Sequence, residues 1–456
     1  MIMSKNPTIP KGTRDFSPSI VRKREYITNT IKNCFESYGF DPISTPSMEN
    51  MDTLTGKYGE DGEQLIFKIL NSGDYLSKVN LDGNVSSKSL TNKISNKALR
   101  YDLTVPFARY VVQHRNEINF PFRRYQIQNV WRADRPQKGR FREFTQCDAD
   151  IIGTDSLMSE LELIQLLDDV FSLLGMNSYC IKLNNRKILS GVAEVIGAHD
   201  YFTEITIALD KIDKIGVEKV KQELLAHGLS SKMVNELSVV LNLSGNNKEK
   251  IDQLRSFLSN SEIGLKGVDE LEYLTQSTNQ TPLKTATLEL DISLARGLNY
   301  YTGAIFEVIS NEVAIGSICG GGRYDDLTSM FGLEGISGVG ISFGLDRIYH
   351  VLDELSLFPK DELNSTKVMF VNFGERESLY CLKLLRQLRQ LGVKSELYPT
   401  NAKIKKQMQY AHRKNVEYVV LIGEDEIKQN TMTVKNMFDS SQKNTNFEEL
   451  IKTLKY

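Results

Sequence analysis

The sequence predicts an α+β protein. An antiparallel sheet flanked by helices is interrupted by a helical insertion and followed by a small α/β module. Three observations carry this expectation. Phe122 to Asp150 holds two strand-like runs around a polar loop, Ala133 to Arg140, with Pro136 and Gly139 in it, the form of a long β-hairpin. Leu209 to Pro282 turns Lys/Glu/Leu/Ser-rich and helical in period. From Lys367 onward, VMFVNF, ELYP and YVVLIG alternate with helical stretches near Ser378–Leu391 and Lys403–Lys414, a β-α-β-α-β order that predicts a parallel core.

The elements follow in order. Ser17 to Tyr38 is an amphipathic helix, with Ile20, Ile27, Ile31, Cys34, Phe35 and Tyr38 at near-helical spacing and Gly39 placed to end it. FDPISTP is a strand whose Pro42 and Pro46 assign it to an edge or an interface. Residues 71–97, rich in Ser, Asn and Lys, read as a mobile loop or a hairpin with a long tip. Ser156 to Leu174 is a helix with Asp155 or Ser156 as N-cap and Gly175 just past its end. Breaks are expected in the helical insertion at Gly228, Gly245 and Gly267. Strands resume at Thr287–Ile292 and Ala304–Ile309. Gly338 to Leu355 is a glycine-flanked strand running straight into a helix, and Asp353 to Thr366 is a linker.

Bulk properties exclude several classes. No apolar run approaches the ~18 residues of a membrane span, and the N-terminal MIMSKNPTIPKGTRDF lacks the apolar core of a signal peptide. The five cysteines are scattered without a CxxC pair, which argues against a disulfide framework or a thiolate zinc site and for a reducing cytoplasm. Charge is uneven. Lys367 to Tyr456 carries 16 Lys and Arg against 10 Asp and Glu, a net +6, while the rest carries −8. A basic terminal module on an acidic body is suited to a polyanion, or is simply a solvated surface. There is no GxxxxGK[ST] and no strict GxGxxG.

Chemistry concentrates in four stretches. LARGLNYYTGAIFEV places Arg296 before a glycine and two tyrosines, Tyr300 and Tyr301, of which alternation lets only one line a given wall. A guanidinium beside aromatic hydroxyls suits a site for an acid or a phosphate, although a surface ion pair beside two core tyrosines has the same pattern. In the hairpin, Gln126, Gln128, Val130 and Arg132 share one face, as do Phe144, Gln146, Asp148 and Asp150. Arg132, Gln146 and Asp150 therefore converge if the registers align. The loop between them carries Arg135, Lys138 and Arg140, suited to phosphates or to solvent. ICGGGRYDDL puts three glycines, for close approach of a strand or a ligand, before Arg323 and Tyr324. In GVGISFGLDRI, Arg347 sits in the first turn of a helix, where the dipole disfavours a cation unless an anion binds there or Asp346 pairs with it.

Taken together, PKGTRDFSP, the strand ending at Pro46, FRRYQIQNVWRADRPQKGRFREFTQCDAD and GVGISFGLDRI resemble the signature and three motifs of class II aminoacyl-tRNA synthetases. RGLNYY and GGGRYDDL resemble the stretches specific to the histidyl-tRNA synthetase family. The resemblance runs over nearly the whole chain. It implies an ATP-dependent enzyme that joins histidine to the 3′ end of tRNA(His) through histidyl-adenylate, with ATP, Mg²⁺ and a homodimer in a cytoplasmic setting. By the resemblance, Arg132 and Arg296 are catalytic at the ATP α-phosphate, and Arg347 meets the γ-phosphate. Asp102, Thr104 and Gln146 contact the substrate amino group, Asp150 takes an imidazole nitrogen, and Tyr300, Tyr301 and Tyr324 line the histidine pocket. Arg135, Gln137 and Lys138 meet the tRNA acceptor end. Asn299 departs from the family's usual Asp, and Asp102–Thr104 looks like the eukaryotic-type version of its segment.

The resemblance also partitions the chain. It implies a catalytic core at 1–208 and 283–355, a helical insertion at 209–282, a linker at 356–366 and an anticodon-binding α/β domain at 367–456. The alternative function is a non-catalytic, histidine-sensing regulatory paralogue.

Overall fold

The computed structural model describes residues 7–56, 58–77, 79, 86–295, 300–359 and 366–454. The chain forms two units, Met1–Phe358 and Pro359–Tyr456. In the first, the expected N-terminal helix spans Pro18–Ser37, with the Ser17 side chain accepting from the Ile20 N–H. Gly39, at φ +75°, turns the chain out of it. Its buried stripe is Ile27, Ile31, Cys34 and Phe35. The Phe35 ring lies 5.6 Å from Tyr125 and 5.8 Å from Phe343, so the helix packs on the main sheet.

Strand β1 (Asp41–Pro42) is an edge of that sheet, where a proline costs no ladder bond. Strands β2 (Met48–Asn50), β3 (Lys68–Ile69) and β4 (Lys97–Leu99) make a small separate antiparallel sheet in the order β2-β4-β3. The segment 71–97 connects β3 to β4. It includes a helix, Ser87–Ile94, started by a Ser86 cap, that the polar composition did not reveal.

The main sheet continues with β5 (Phe122–Trp131), β6 (Glu143–Ile152), β7 (Tyr179–Asn185), β8 (Thr287–Leu290), β9 (Ala304–Ser310), β10 (Cys319–Tyr324) and β11 (Gly338–Gly344). Its order is β1-β5-β6-β11-β10-β9-β7-β8. All neighbours are antiparallel except the outermost pairs, β1 with β5 and β7 with β8. The hairpin register sets Arg124 opposite Asp150, Gln126 opposite Asp148 and Gln128 opposite Gln146. Across the next ladder, Asp150 faces Gly340 and Asp148 faces Ser342. The glycines of β10 answer to contact rather than to a turn. A Cβ on Gly321 would lie 2.1 Å from the Gly340 carbonyl oxygen, and one on Gly322 would lie 2.7 Å from that of Ala304.

The helix after β6 spans Met158–Leu173, with Leu157 already in helical dihedrals and the Ser156 side chain accepting from the Met158 N–H at 3.4 Å, as the expected cap does. One sequence expectation needs correction. Gly267 does not break a helix: it lies inside Glu262–Gln280, where a Cβ would meet the Ile188 N–H nitrogen at 2.9 Å. The same helix crosses Arg186–Val195 with the Gly264 and Gly191 backbones in contact. Small residues let these helices approach, so the helical region shares one apolar core with the sheet. Helices already begin at Arg186, upstream of the change in composition.

The second unit has strands β12 (Val368–Phe370), β13 (Ser395–Leu397), β14 (Tyr418–Leu421), β15 (Met432–Asn436) and β16 (Gln442–Thr445), ordered β13-β12-β14-β15-β16. The first three are parallel, as the alternation predicts. The antiparallel β15 and β16 extend that core beyond what the alternation alone implies. Among the described residues no helix is long and apolar enough to cross a membrane, and all five cysteines are free and buried.

One buried ion pair anchors the core of the first unit. Arg323, 3% exposed, meets Glu160, 0% exposed, through Nε–Oε1 at 2.5 Å and Nη2–Oε2 at 2.6 Å. It also donates to the carbonyls of Thr154 and Ser156. Its apparent place in a chemical motif therefore resolves into a structural one. Arg323→Met leaves the Glu160 charge buried and is expected to cost about 3–5 kcal/mol in urea unfolding; a loss under about 1 kcal/mol would refute this anchoring role.

Candidate active site

The even-numbered face of β5 and β6 is the floor of the site. An apolar floor would be the default, yet this one carries Arg124, Gln126, Asp148 and Asp150, each at most 3% exposed. Such groups are tolerated only when paired or when a ligand completes them. Two adjoining cavities open on this floor. The larger, about 270 Å³, is walled by Arg132, Gln146 and Arg347 among others. The smaller, about 10 Å³, lies between Thr104, Asp148, Asp150 and Tyr324. Tyr301 and Ser342 line both.

The small cavity is acidic. Asp150 accepts from the Tyr324 hydroxyl at 2.7 Å and lies 2.6 Å from the Arg124 guanidinium. Gly340 makes room for it, since a Cβ there would sit 2.0 Å from Asp150 Oδ1. Asp102 accepts from the Tyr58 hydroxyl at 2.9 Å and the Val105 N–H at 3.1 Å. Burial raises the pKa of Asp102, Asp148 and Asp150, and the opposing pull of Arg124 or Arg132 is smaller. Asp148 is pushed up to about 7, by burial first and with Asp150 adding to it. Three acids here face the cations Arg124 and Arg132, an excess of negative charge.

The larger cleft is cationic. Arg132 lies just past β5, held by a 3.0 Å bond from Nε to the Tyr101 carbonyl and stacked 4.2 Å over the Tyr101 ring. Arg347 donates to the carbonyls of Ser317 and Gly139. Burial, and then Arg140, lower its pKa. Among the described residues neither Arg132 nor Arg347 is ion-paired with a carboxylate. The alternative pairing of Asp346 with Arg347 is overturned: Asp346 takes Arg14 and Arg24, each at 2.5 Å. Arg347 thus stays available at a helix N-terminus, an arrangement suited to an anion.

The other predicted residues fall as follows. Thr104 opens the helix Thr104–Gln113 beside Asp102. Gln146 donates to the Ser342 hydroxyl at 2.9 Å. Of the tyrosine pair, Tyr301 lines both cavities, while Tyr300 packs in an apolar cluster with Tyr58, Tyr101 and Tyr324. Arg135, Gln137 and Lys138 stand on an exposed turn outside the cleft, closed by reciprocal backbone bonds between Gln137 and Arg140. Arg296 and Asn299 lie outside the described residues. Sequence reasoning missed Arg124 and Asp148, although the parity that selected Gln146 and Asp150 also selects both. It also missed Arg14 and Arg24, which act at long range and give no local signal. Among the described residues no group of three or more His, Cys, Asp or Glu is placed to hold a metal.

An antiparallel sheet with an arginine beyond a hairpin strand and another at the start of the helix after the last strand defines the class II aminoacyl-tRNA synthetase fold. The profile of histidyl-tRNA synthetases matches residues 12–79 and 89–348, and that of an anticodon-binding domain matches 367–456. The histidine–tRNA ligase of Christiangramia forsetii is 58% identical over 99% of this chain and all of its own length. That of Flavobacterium johnsoniae is 55% identical over the same shares. The crystal structure of histidyl-tRNA synthetase from Nostoc sp. PCC 7120 superposes with a TM-score of 0.81 at 30% identity, covering 99% of this chain and 100% of that one. The chain belongs to the histidyl-tRNA synthetase family.

The acid cluster predicts a pH effect. The Asp148 carboxyl binds its proton more tightly folded than unfolded, so its stabilising contribution is intact below about pH 4 and is lost as pH rises through about 7. Asp148→Asn removes that loss, on the order of a few kcal/mol. The ligand-free variant should melt several degrees above the wild type at pH 8 and close to it at pH 5. An equal Tm difference at both pH values would contradict the buried, proton-binding state.

Proposed function

We propose that this chain is a cytoplasmic, ATP-dependent histidine–tRNA ligase that forms histidyl-adenylate and transfers the histidyl group to the 3′ end of tRNA(His). One observation carries the reading: an acidic cavity and an arginine-lined cleft adjoin, sharing Tyr301 and Ser342. A single amino acid bound along the shared wall would meet acids on one side and arginines on the other. Full-length identity above one half to histidine–tRNA ligases favours charging over the regulatory alternative. An ATP phosphoribosyltransferase regulatory subunit/histidyl-tRNA synthetase from Bacillus halodurans C superposes with a TM-score of 0.71 at 20% identity, a likeness of fold alone.

In the first step the histidine carboxylate attacks the ATP α-phosphate and pyrophosphate leaves. In the second the terminal ribose hydroxyl of the tRNA attacks the acyl carbon of histidyl-adenylate, its bond to the phosphate oxygen breaks, and AMP and the hydroxyl proton leave. Arg132 and Arg296 hold the α-phosphate and Arg347 the γ-phosphate. Catalysis rests on positioning and charge neutralisation. Mg²⁺ fits as an ion carried on the ATP phosphates, where it neutralises charge without an all-protein cage. Asp102, Thr104 and Gln146 hold the amino group. Asp150, oriented by Arg124 and Tyr324, accepts from the imidazole, with Tyr301 against the ring and Tyr300 behind it. A side chain that cannot donate there leaves buried acceptors unpaired, which is the basis of selectivity.

The turn with Arg135, Gln137 and Lys138 meets the acceptor end of the tRNA, and residues 367–456, with net charge +6, bind the anticodon. The catalytic core is assigned to 1–208 and 283–355, the insertion to 209–282 and the linker to 356–366. The active form is a homodimer.

The test is ATP–pyrophosphate exchange with each amino acid separately, without tRNA. Exchange with histidine alone is expected. Exchange with another amino acid would keep the class and refute the pocket, whereas none, despite histidine binding, would favour the regulatory paralogue. Arg132→Ala is expected to lower the exchange rate by about 10²–10³-fold with an unchanged melt. Affinity for tRNA should fall steeply as salt rises, roughly in proportion to the phosphates contacted; a flat response would exclude the basic surfaces as the tRNA contact.

A further inference from the structure

We propose that Asp148 is a specificity residue of the amino-acid pocket, and that its free carboxylate oxygen takes one N–H of the substrate α-ammonium. The inference rests on the ligase reading and extends it to a residue outside the family motif roles given above. Asp148 stands midway along the row Gln146, Asp148, Asp150 on β6, opposite Ser342 of β11. It is 2% exposed and forms part of the small cavity wall with Thr104 and Tyr301.

The hydrogen bonds of the site single it out. Asp150 is engaged by Arg124 and Tyr324. Five buried acceptors around this floor, Asp102 Oδ2, Gln126 Oε1, Gln146 Oε1, Asp148 Oδ1 and Asp150 Oδ2, make no hydrogen bond among the described residues, and of these Asp150 Oδ2 alone has a cation, Arg124, at ion-pair distance. A primary ammonium brings three N–H donors and no acceptor. Asp102 Oδ2 and Asp148 Oδ1, carboxylate oxygens with no cation at ion-pair distance among the described residues, suit it in sign, and Asp102 and Asp148 sense one another electrostatically. Gln146 and Asp148 are further tied through the Ser342 hydroxyl, which accepts from Gln146 and bonds Asp148.

A pH dependence follows. Asp148 feels Arg124, diagonal to it across the hairpin, Asp150 on its own strand, Asp102 before the helix Thr104–Gln113, and Ser342 on β11. It also acts on Arg100, Cys147, Tyr301 and Cys319. In that setting its carboxyl titrates near 7. An ammonium binds the ionised form, so ligand binding expels the proton. The KM for histidine should therefore fall as pH rises through about 7, beyond the change due to histidine's own titration.

The experiment measures the KM for histidine in pyrophosphate exchange across pH values on both sides of neutrality for the wild type, Asp148→Asn and Asp148→Glu. In Asp148→Asn, KM for histidine at pH 8 should rise on the order of tenfold to a hundredfold, with kcat within a few fold and KM for ATP unmoved. The wild-type pH slope should be lost, and Asp148→Glu should restore part of it. Inhibition by imidazolepropionate, which lacks the amino group, should be much weaker than histidine binding in the wild type, and in Asp148→Asn that gap should narrow by the factor by which the histidine KM rises. A wild-type histidine KM and pH slope in a folded Asp148→Asn would overturn the proposal while leaving the ligase reading intact. If the Asn variant fails to fold, Asp148→Ser provides the same comparison. If the wild type shows no exchange, the ligase reading fails, and calorimetric titration of histidine still decides: equal affinity of wild type and variant overturns the role of Asp148.

Discussion

The Arg124–Asp150 ion pair is the constraint around which the site is organised. Arg124 is completely buried on β5, next to the edge strand β1, 4.1 Å from the centre of the Phe107 ring, and Asp150 faces it across the hairpin register. A charge so placed requires its partner, because neither can be hydrated. The pair fixes one carboxylate, which also accepts from Tyr324, and with it the distance between β6 and the tyrosine at the end of β10. Gly340 then becomes obligatory, since any Cβ would displace Asp150. Acids beyond those that Arg124 balances make the deep cavity negative. Burial raises the pKa of these acids, so protons can offset part of that charge.

The opposite sign at the other end is arranged by a remote element. Arg14 and Arg24 come from the N-terminal segment and the first helix, yet both reach Asp346 in the last strand–helix junction. Arg14 also stacks on Phe141, just past the exposed turn. The acid beside Arg347 is thereby occupied, and Arg347 keeps its charge for the cleft. One buried network thus joins the start of the chain, the hairpin loop and the helix that carries the cleft arginine. Through Arg14, the N-terminal PKGTRDF stretch helps neutralise a competitor for the anion site.

Much of this was legible in the residues. The period-2 pattern of β5 and β6 placed Arg132, Gln146 and Asp150 on one side, because strand geometry leaves side chains only two faces. Gly39 and Gly175 marked helix ends, since glycine adopts the left-handed conformation without penalty. Other features were not readable. Gly267 looked like a helix breaker because a glycine in isolation says nothing about what packs against it. The helix Ser87–Ile94 hid in a polar stretch because few of its positions are apolar. The role of Arg323 in GGGRYDDL was not readable because a motif does not reveal that Glu160, 163 residues away, claims it.

By itself the sequence determined the local grammar: which segments are strands or helices, which faces they present, which family the motifs resemble, and that the last ninety residues form a basic α/β unit. These follow from short-range sterics, periodicity and composition. The tertiary structure decided which charges are spent and which remain free. Asp346 pairs with Arg14 and Arg24 while Arg347 pairs with no carboxylate, and Asp150 pairs with Arg124 while Asp148 and Asp102 have no cation at ion-pair distance, among the described residues. Those outcomes depend on partners tens or hundreds of residues distant, and on burial that raises the cost of every unmatched polar atom. No local pattern encodes them.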